Sequence, residues 1–206
     1  GALANYVCFF NDMSERKASE QHIHRLAYYD ALTLLPNRTL FQERLQQALQ
    51  AAARQRHWVV LMFLDLDRFK PINDSLGHAA GDLLLKDVAL RLSACVRHDD
   101  TVARMGGDEF TLLLSPLEDE VEARRRAIAV AQRILTSLSH PFLIHGREFF
   151  ISASIGIALS PQDGSRSSQL MKNADTAMYH AKDQGKDNYQ FYQANMNATT
   201  LQRLEL

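Results

Sequence analysis

The apolar run Trp58-Val59-Val60-Leu61-Met62-Phe63-Leu64 has no helical period and ends in Asp65-Leu66-Asp67. It is too short to cross a membrane, so it predicts a central strand buried on both faces. Side chains alternate along a strand, which puts Asp65 and Asp67 on one face. A second strand-like pattern surrounds Gly106-Gly107, with Thr101, Val102 and Ala103 before it and Phe110 to Leu114 after it. Two glycines between two short strands predict a tight hairpin, because glycine takes the positive φ angles such turns need. Asp108 and Glu109 then sit at the hairpin tip.

Helical periodicity accounts for most of the remaining chain. A turn over 30–38 contains Pro36, and Asn37 can cap a helix over 39–54 with the stripe Leu40, Phe41, Leu45 and Leu49. A short helical segment follows Phe69-Lys70. A longer helix over 80–96 turns Leu84, Val88, Leu92 and Cys95 inward. A charged helix is expected over 118–138, where Arg124-Arg125-Arg126 reads as a solvated face. One or two strands are expected over 142–160, then a polar loop. A helix over 170–184 has Met171, Ala174, Ala177 and Met178 on one face, and a closing strand covers 188–192. At the N-terminus, 6–10 reads as a strand. Asp12 with Glu15 fits a helix capping box before an amphipathic helix over 13–29. The tail over 195–206 also reads as an amphipathic helix.

At 206 residues the chain suits one domain with short flanks. Its net charge of −1 argues against a general nucleic-acid or membrane-surface binder. Cys8 and Cys95 have no metal-ligand spacing and suggest no disulfide framework. With no signal peptide or transmembrane stretch, the expectation is a cytoplasmic piece, whose parent protein could be membrane-anchored.

Carboxylates ending a buried strand are costly unless paired or bound to a cation. Asp65 beside Asp108 and Glu109 offers hard oxygen ligands for Mg²⁺, in an open site that phosphates and water would complete. Asn73 and Asp82 flank a short loop-and-helix unit, where capping and turn chemistry is the ordinary role of such residues. Lys182 and Lys186 lie near the end of the 170–184 helix, where a favourable interaction with the helix dipole is the ordinary reading.

The run Arg104-Met105-Gly106-Gly107-Asp108-Glu109-Phe110 resembles the signature of the GGDEF family, the diguanylate cyclases of bacterial signalling. Supporting segments stand in the family's order: Asp30 to Arg38, Asp65 to Lys70, Asn73 to His78, Gly81-Asp82, Ser154-Ile155-Gly156, and Ala181-Lys182 with Gly185-Lys186. The resemblance covers roughly residues 30 to 192. It implies an α/β fold, with a mixed central β-sheet ringed by helices, like nucleotidyl cyclases and polymerase palms. It also implies a domain division: 1–28 as the end of a PAS-type sensor with its signalling helix, 29–193 as the GGDEF domain, and 194–206 as a connector toward an EAL-type phosphodiesterase domain.

The implied reaction is condensation of two GTP molecules into cyclic di-GMP with release of two pyrophosphates. By resemblance, Asp65, the Leu66 carbonyl, Asp108 and Glu109 are the ligands of Mg²⁺ or Mn²⁺, and Asp108 and Glu109 are also catalytic. Phe69 and Lys70 lie where backbone amides could cradle phosphates. Asn73 and Asp82 read guanine, and Lys182 and Lys186 meet the terminal phosphates. Arg97 and Asp100 match an Arg-x-x-Asp motif that binds cyclic di-GMP as inhibitor, with Arg133 in support. One domain binds one GTP, so a transient homodimer is implied. In proteins that also carry an EAL domain, the alternative role is a GTP-binding regulatory module for that domain. Two departures stand out: Leu34 where relatives usually have glycine, and Lys186 where many carry arginine.

Overall fold

The computed structural model describes residues 25–196. The strand expected over 6–10, the helix expected over 13–29 up to residue 24, and the tail from residue 197 lie outside the described residues. Residues 25–28 are helical and lead into the turn at Asp30.

Five helices and seven strands follow. They are α1 (Arg38–Gln55), β1 (Trp58–Asp67), α2 (Phe69–Leu76), α3 (His78–Ala94), β2 (Thr101–Gly106) and β3 (Glu109–Leu117). Then come α4 (Glu120–Ser139), β4 (Phe142–Ile144), β5 (Arg147–Phe149), β6 (Ser152–Ser160), α5 (Ser167–Asp183) and β7 (Asn188–Phe191). The main sheet has the order β2-β3-β1-β6-β7. It is mixed: β1 runs antiparallel to β3 and β6, while β6 and β7 are parallel. This is the α/β architecture expected.

β1 is the centre. Its side chains divide by parity between two cores, as a strand buried on both faces must. Val60, Met62, Leu64 and Leu66 join Leu84, Val88, Leu92, Val130 and Ile134 from α3 and α4. Val59, Leu61 and Phe63 join Phe41 and Leu45 of α1 and Leu170, Ala174 and Met178 of α5. α5 lies very close to the sheet. A Cβ on Gly156 would overlap the Ala174 carbonyl oxygen and the Met178 nitrogen, so only glycine permits this approach. That contact fixes the height of the helix that carries Lys182 in its last turn.

Local signals explain the boundaries. Asn37 caps α1, its Oδ1 accepting from the Leu40 N–H at 3.1 Å, and Asp119 caps α4 by accepting from Glu122 N–H at 2.7 Å. The 142–160 stretch holds three strands rather than one or two. His145 and Gly146, at φ 50° and 76°, close β4 and β5 into a short separate hairpin before β6 begins. Arg126 departs from the solvated face expected of its arginine run, being only 13% exposed and paired with Asp100. Among the described residues no helix is long and apolar enough to cross a membrane.

The turn at 30–36 resolves the Leu34 departure. Asp30 Oδ1 accepts from the Thr33 N–H at 2.8 Å and its hydroxyl at 2.6 Å, and the Leu34 N–H donates to the Asp30 carbonyl at 2.9 Å. Leu34 takes φ 60°, the left-handed region glycine favours, with its side chain 73% exposed. The turn geometry therefore survives the substitution at the cost of backbone strain. Replacing this leucine loses almost no packing. Leu34→Gly is expected to stabilise the domain by about 0.5–1 kcal/mol after glycine's extra chain entropy is subtracted. Denaturant titration checks this, and an unchanged or lowered midpoint would contradict it.

Candidate active site

The end of β1 and the β2–β3 hairpin bring the carboxylates together. Asp65 and Glu109 are direct cross-strand partners on β1 and β3. The hairpin closes through Gly106 and Gly107 at φ 139° and 53°. Its tip is tied back to β1 by the Leu66 N–H, which donates to the Asp108 carbonyl at 3.3 Å. Asp65, Leu66, Asp108 and Glu109 thus lie together at this end of the sheet.

Asp65 and Asp67 share a face but have different partners. Asp65 Oδ1 accepts from Lys182 Nζ at 2.8 Å. Asp67 accepts from the Ser152 and Ser154 hydroxyls, each at 2.7 Å, and from the Asp187 N–H at 3.1 Å. The first carboxylate is buried beside the lysine ammonium, whereas the second is consumed in holding β6 and the α5–β7 loop to β1.

The electrostatics of the cluster are unfavourable to charge. Burial pushes the Asp65 carboxyl up; Lys182 opposes this, and Asp108 and Asp67 add to it. Burial also raises Glu109, followed by repulsion from Asp175 and Asp65, against a weaker pull from Arg38. Asp175 is raised by burial, with Lys182 opposing. Asp175 was missed in the sequence. It lies seven residues before Lys182 on the same helix, two turns along one face, and that spacing was the available signal.

Among the described residues, no group of three or more His, Cys, Asp or Glu side chains converges to hold a metal ion. The donor set nonetheless suits Mg²⁺, which is usually held by one or two carboxylates and completes its shell with phosphate oxygens and water. Clustered carboxylates held above their ordinary range are also groups a cation would relieve.

The guanine pair lies on the α2–α3 unit. Asn73 is in α2 and packs against Gly81 of α3, where a Cβ would overlap the Asn73 amide oxygen. That oxygen is buried with no hydrogen-bond partner, a state that costs about 1–3 kcal/mol until a donor arrives. Asp82, the next residue after Gly81, is exposed. Phe69 is buried and Lys70 exposed at the start of α2. Phe69 can therefore offer a ligand only its backbone. Lys186, just past the end of α5, lines a cleft of about 340 Å³ with Asp67, Arg68, Phe150 and Ser152.

The Arg-x-x-Asp pair is not an ion pair facing solvent. Asp100 has a fully buried side chain. It accepts from Arg126 Nη2 at 2.8 Å to each oxygen, from the Ser115 N–H and hydroxyl at 2.9 Å, and from the Arg97 N–H at 2.9 Å. Arg97 and Arg133 are exposed, and Cys95 Sγ lies 3.7 Å from the Arg133 carbonyl, bringing that part of α4 beside the turn. Both Asp100 oxygens are engaged inside the protein, and the exposed members of the expected product site are Arg97 and Arg133.

The family model for the diguanylate cyclase GGDEF domain matches residues 27–188. The bifunctional diguanylate cyclase/cyclic di-GMP phosphodiesterase MucR of Pseudomonas aeruginosa is 48% identical over 91% of this chain and 27% of its own length. The cyclic di-GMP phosphodiesterase PdeR of Escherichia coli is 40% identical over 97% of this chain and 29% of its own. The chain therefore spans less than a third of these relatives. The solved GGDEF domain of TpbB from Pseudomonas aeruginosa superposes with a TM-score of 0.79 at 40% identity, covering 84% of this chain and 99% of that one.

The raised carboxylates have a consequence for stability. An acid whose folded pKa lies above its unfolded value adds no penalty at low pH. The penalty grows as pH rises from the ordinary glutamate value, about 4.3, through the raised one, and is constant above. Glu109→Gln removes it. The variant is expected to melt above the wild type near about pH 8, with the gap shrinking as the pH is lowered toward about 4. A gap independent of pH in thermal melts would refute the electrostatic cause.

Proposed function

The chain belongs to the GGDEF family of diguanylate cyclase domains, and from that membership we propose that it condenses two GTP molecules into cyclic di-GMP. Each ribose 3′-OH attacks the α-phosphorus of the other GTP. Each new P–O bond replaces the bond to the β-phosphate, pyrophosphate leaves, and the hydroxyl proton is released. The observation that carries this reading is the cluster itself: Asp65 and Glu109 face each other across two strands, Asp108 sits at the tip, and Lys182 reaches Asp65.

In this reading Asp65, the Leu66 carbonyl and Asp108 hold Mg²⁺ or Mn²⁺, and Glu109 is a second metal ligand or catalytic carboxylate. The metal supplies charge neutralisation on the phosphates and a lower pKa for the attacking hydroxyl. Lys182, free to exchange its carboxylate for a phosphate, and Lys186 hold the terminal phosphates. At Lys186 the charge is kept without the bidentate geometry of arginine. The backbone at Phe69 and Lys70 cradles the phosphates, and Asp82 and the unpaired Asn73 oxygen accept from the guanine edge. Each domain holds one GTP, so two copies must meet face to face. Cyclic di-GMP inhibits by binding Arg97 and Arg133, while Asp100 holds the turn from inside. An adjoining phosphodiesterase domain in the parent protein is supported by the relatives' names and greater length, and the helix before Asp30 would link the domain to a sensor.

Asp65→Ala and Asp108→Ala are each expected to lower cyclic di-GMP formation from GTP and Mg²⁺ by about a hundredfold or more while leaving the fold intact by circular dichroism. Near wild-type turnover in either variant would refute the site assignment.

A second reading is favoured by the similarity to PdeR, which is described as a phosphodiesterase: the domain binds GTP and activates an adjoining EAL domain. The two readings part on dimerisation. Fused in register behind a strong parallel coiled coil, a cyclase is expected to make product faster at fixed protein concentration. A silent fused dimer, together with a longer chain whose phosphodiesterase is stimulated by GTP, would establish the regulatory role instead.

A further inference from the structure

Arg104 begins the signature run, but no ligand role falls to it. Its guanidinium is 11% exposed and spreads across two segments that are distant in sequence. Nη1 donates to both Asp30 oxygens, at 3.0 and 3.2 Å. Nε and Nη2 both donate to the Gly107 carbonyl, at 3.1 and 2.8 Å. Its own backbone N–H donates to the Pro36 carbonyl at 3.0 Å. One planar fork therefore joins the turn that opens the domain to the glycine preceding Asp108.

The opposite side of this clamp is well built. Burial works against a charged Asp30, but the hydrogen bonds from Thr33 and the contact with Arg104 outweigh it and hold the carboxyl below its ordinary range. Asp30 also receives the Leu34 N–H on its carbonyl and donates its own N–H to Leu35 at 2.8 Å. Just upstream, the Asn37 N–H and side-chain amide donate to the Tyr28 and Ala27 carbonyls at 2.9 and 2.8 Å. The end of the entering helix is thus tied to the turn, and the turn to Arg104. The Gly107 end is different in kind. Gly106 and Gly107 are exposed, and a Cβ on either would meet nothing within 4 Å. The two glycines have no side chains of their own to pack the turn, and the two bonds from the Arg104 guanidinium to the Gly107 carbonyl tie it back.

We propose that Arg104 is a positioning residue that fixes the Gly106-Gly107 turn, and with it Asp108 and Glu109, relative to the Asp30–Pro36 segment by which the chain enters the domain. A displacement of the entering helix is then passed to the hairpin tip through this guanidinium, beside the backbone bond from the Arg104 N–H to the Pro36 carbonyl. The inference rests on the proposed cyclase reading for its catalytic consequence but not for the clamp itself.

Two readouts test it. In Arg104→Ala, hydrogen exchange of the amides at 106–109 is expected to quicken by about tenfold or more while β1 amides stay as protected as in the wild type. Cyclic di-GMP turnover should fall by at least about tenfold with the KM for GTP within about twofold, because geometry rather than nucleotide binding is lost. The reciprocal exchange Asp30→Arg with Arg104→Asp separates the clamp from a mere ion pair. It restores opposite charges but leaves the Gly107 carbonyl without its donors. Tip exchange and turnover should stay as impaired as in Arg104→Ala, although opposite charges again face each other. Unchanged tip exchange in Arg104→Ala, or recovered turnover in the reciprocal variant, overturns the proposal. Should the wild type make no cyclic di-GMP, the exchange measurements still decide the clamp, and the cyclase reading falls separately.

Discussion

Everything in this domain depends on a strand buried on both faces that nevertheless ends in two acids. Burial of β1 organises the two cores, and the same burial raises the cost of charge at Asp65 and Asp67. The fold meets that cost unequally. Asp67 is matched by two serine hydroxyls and a backbone N–H, and its charge becomes a fastening between β1, β6 and the α5–β7 loop. Asp65 has one lysine and three acidic neighbours on β1 and the hairpin: Asp67, Asp108 and Glu109. What remains unmet at Asp65 is what makes the position suited to a cation and phosphates.

The framework around that position is built from contacts within the protein. Gly156 lets α5 come close enough for Lys182 to reach Asp65. Arg104 holds a turn that its own glycines leave free. Asp100 links Arg97, Ser115 of β3 and Arg126 of α4 in one buried cluster. Any ligand met by Arg97 would therefore act on a turn joined directly to the strand that begins with Glu109. Removing one partner from such a cluster leaves a buried charge exposed to its full desolvation cost.

The elements themselves were legible in the sequence. Trp58 to Leu64 carried no helical period and became the central strand. Asn37 marked the start of α1, and the glycine pair marked the hairpin. Asp65, Asp108, Glu109 and Lys182 could be assembled by resemblance because each stands in an ordered motif, and the structure brings them together. The extra β4–β5 hairpin was less legible, since strands this short leave hardly any alternation to read.

Sequence alone determined which residues are apolar, where the backbone must turn, and which acids and amides are available. Those are local properties of composition and spacing. Only the tertiary structure decided how each polar group is used, because hydrogen-bond partners come from distant segments. Asp65 and Asp67 are two residues apart and chemically identical, yet one faces Lys182 and the other Ser152 and Ser154. Asp100 has its carboxylate engaged within the protein, and Arg126, which reads as solvated, is its partner. Arg104 and Asp30 are 74 residues apart in the chain, and their contact exists only because β2, the edge strand of the sheet, lies against the turn that starts the domain.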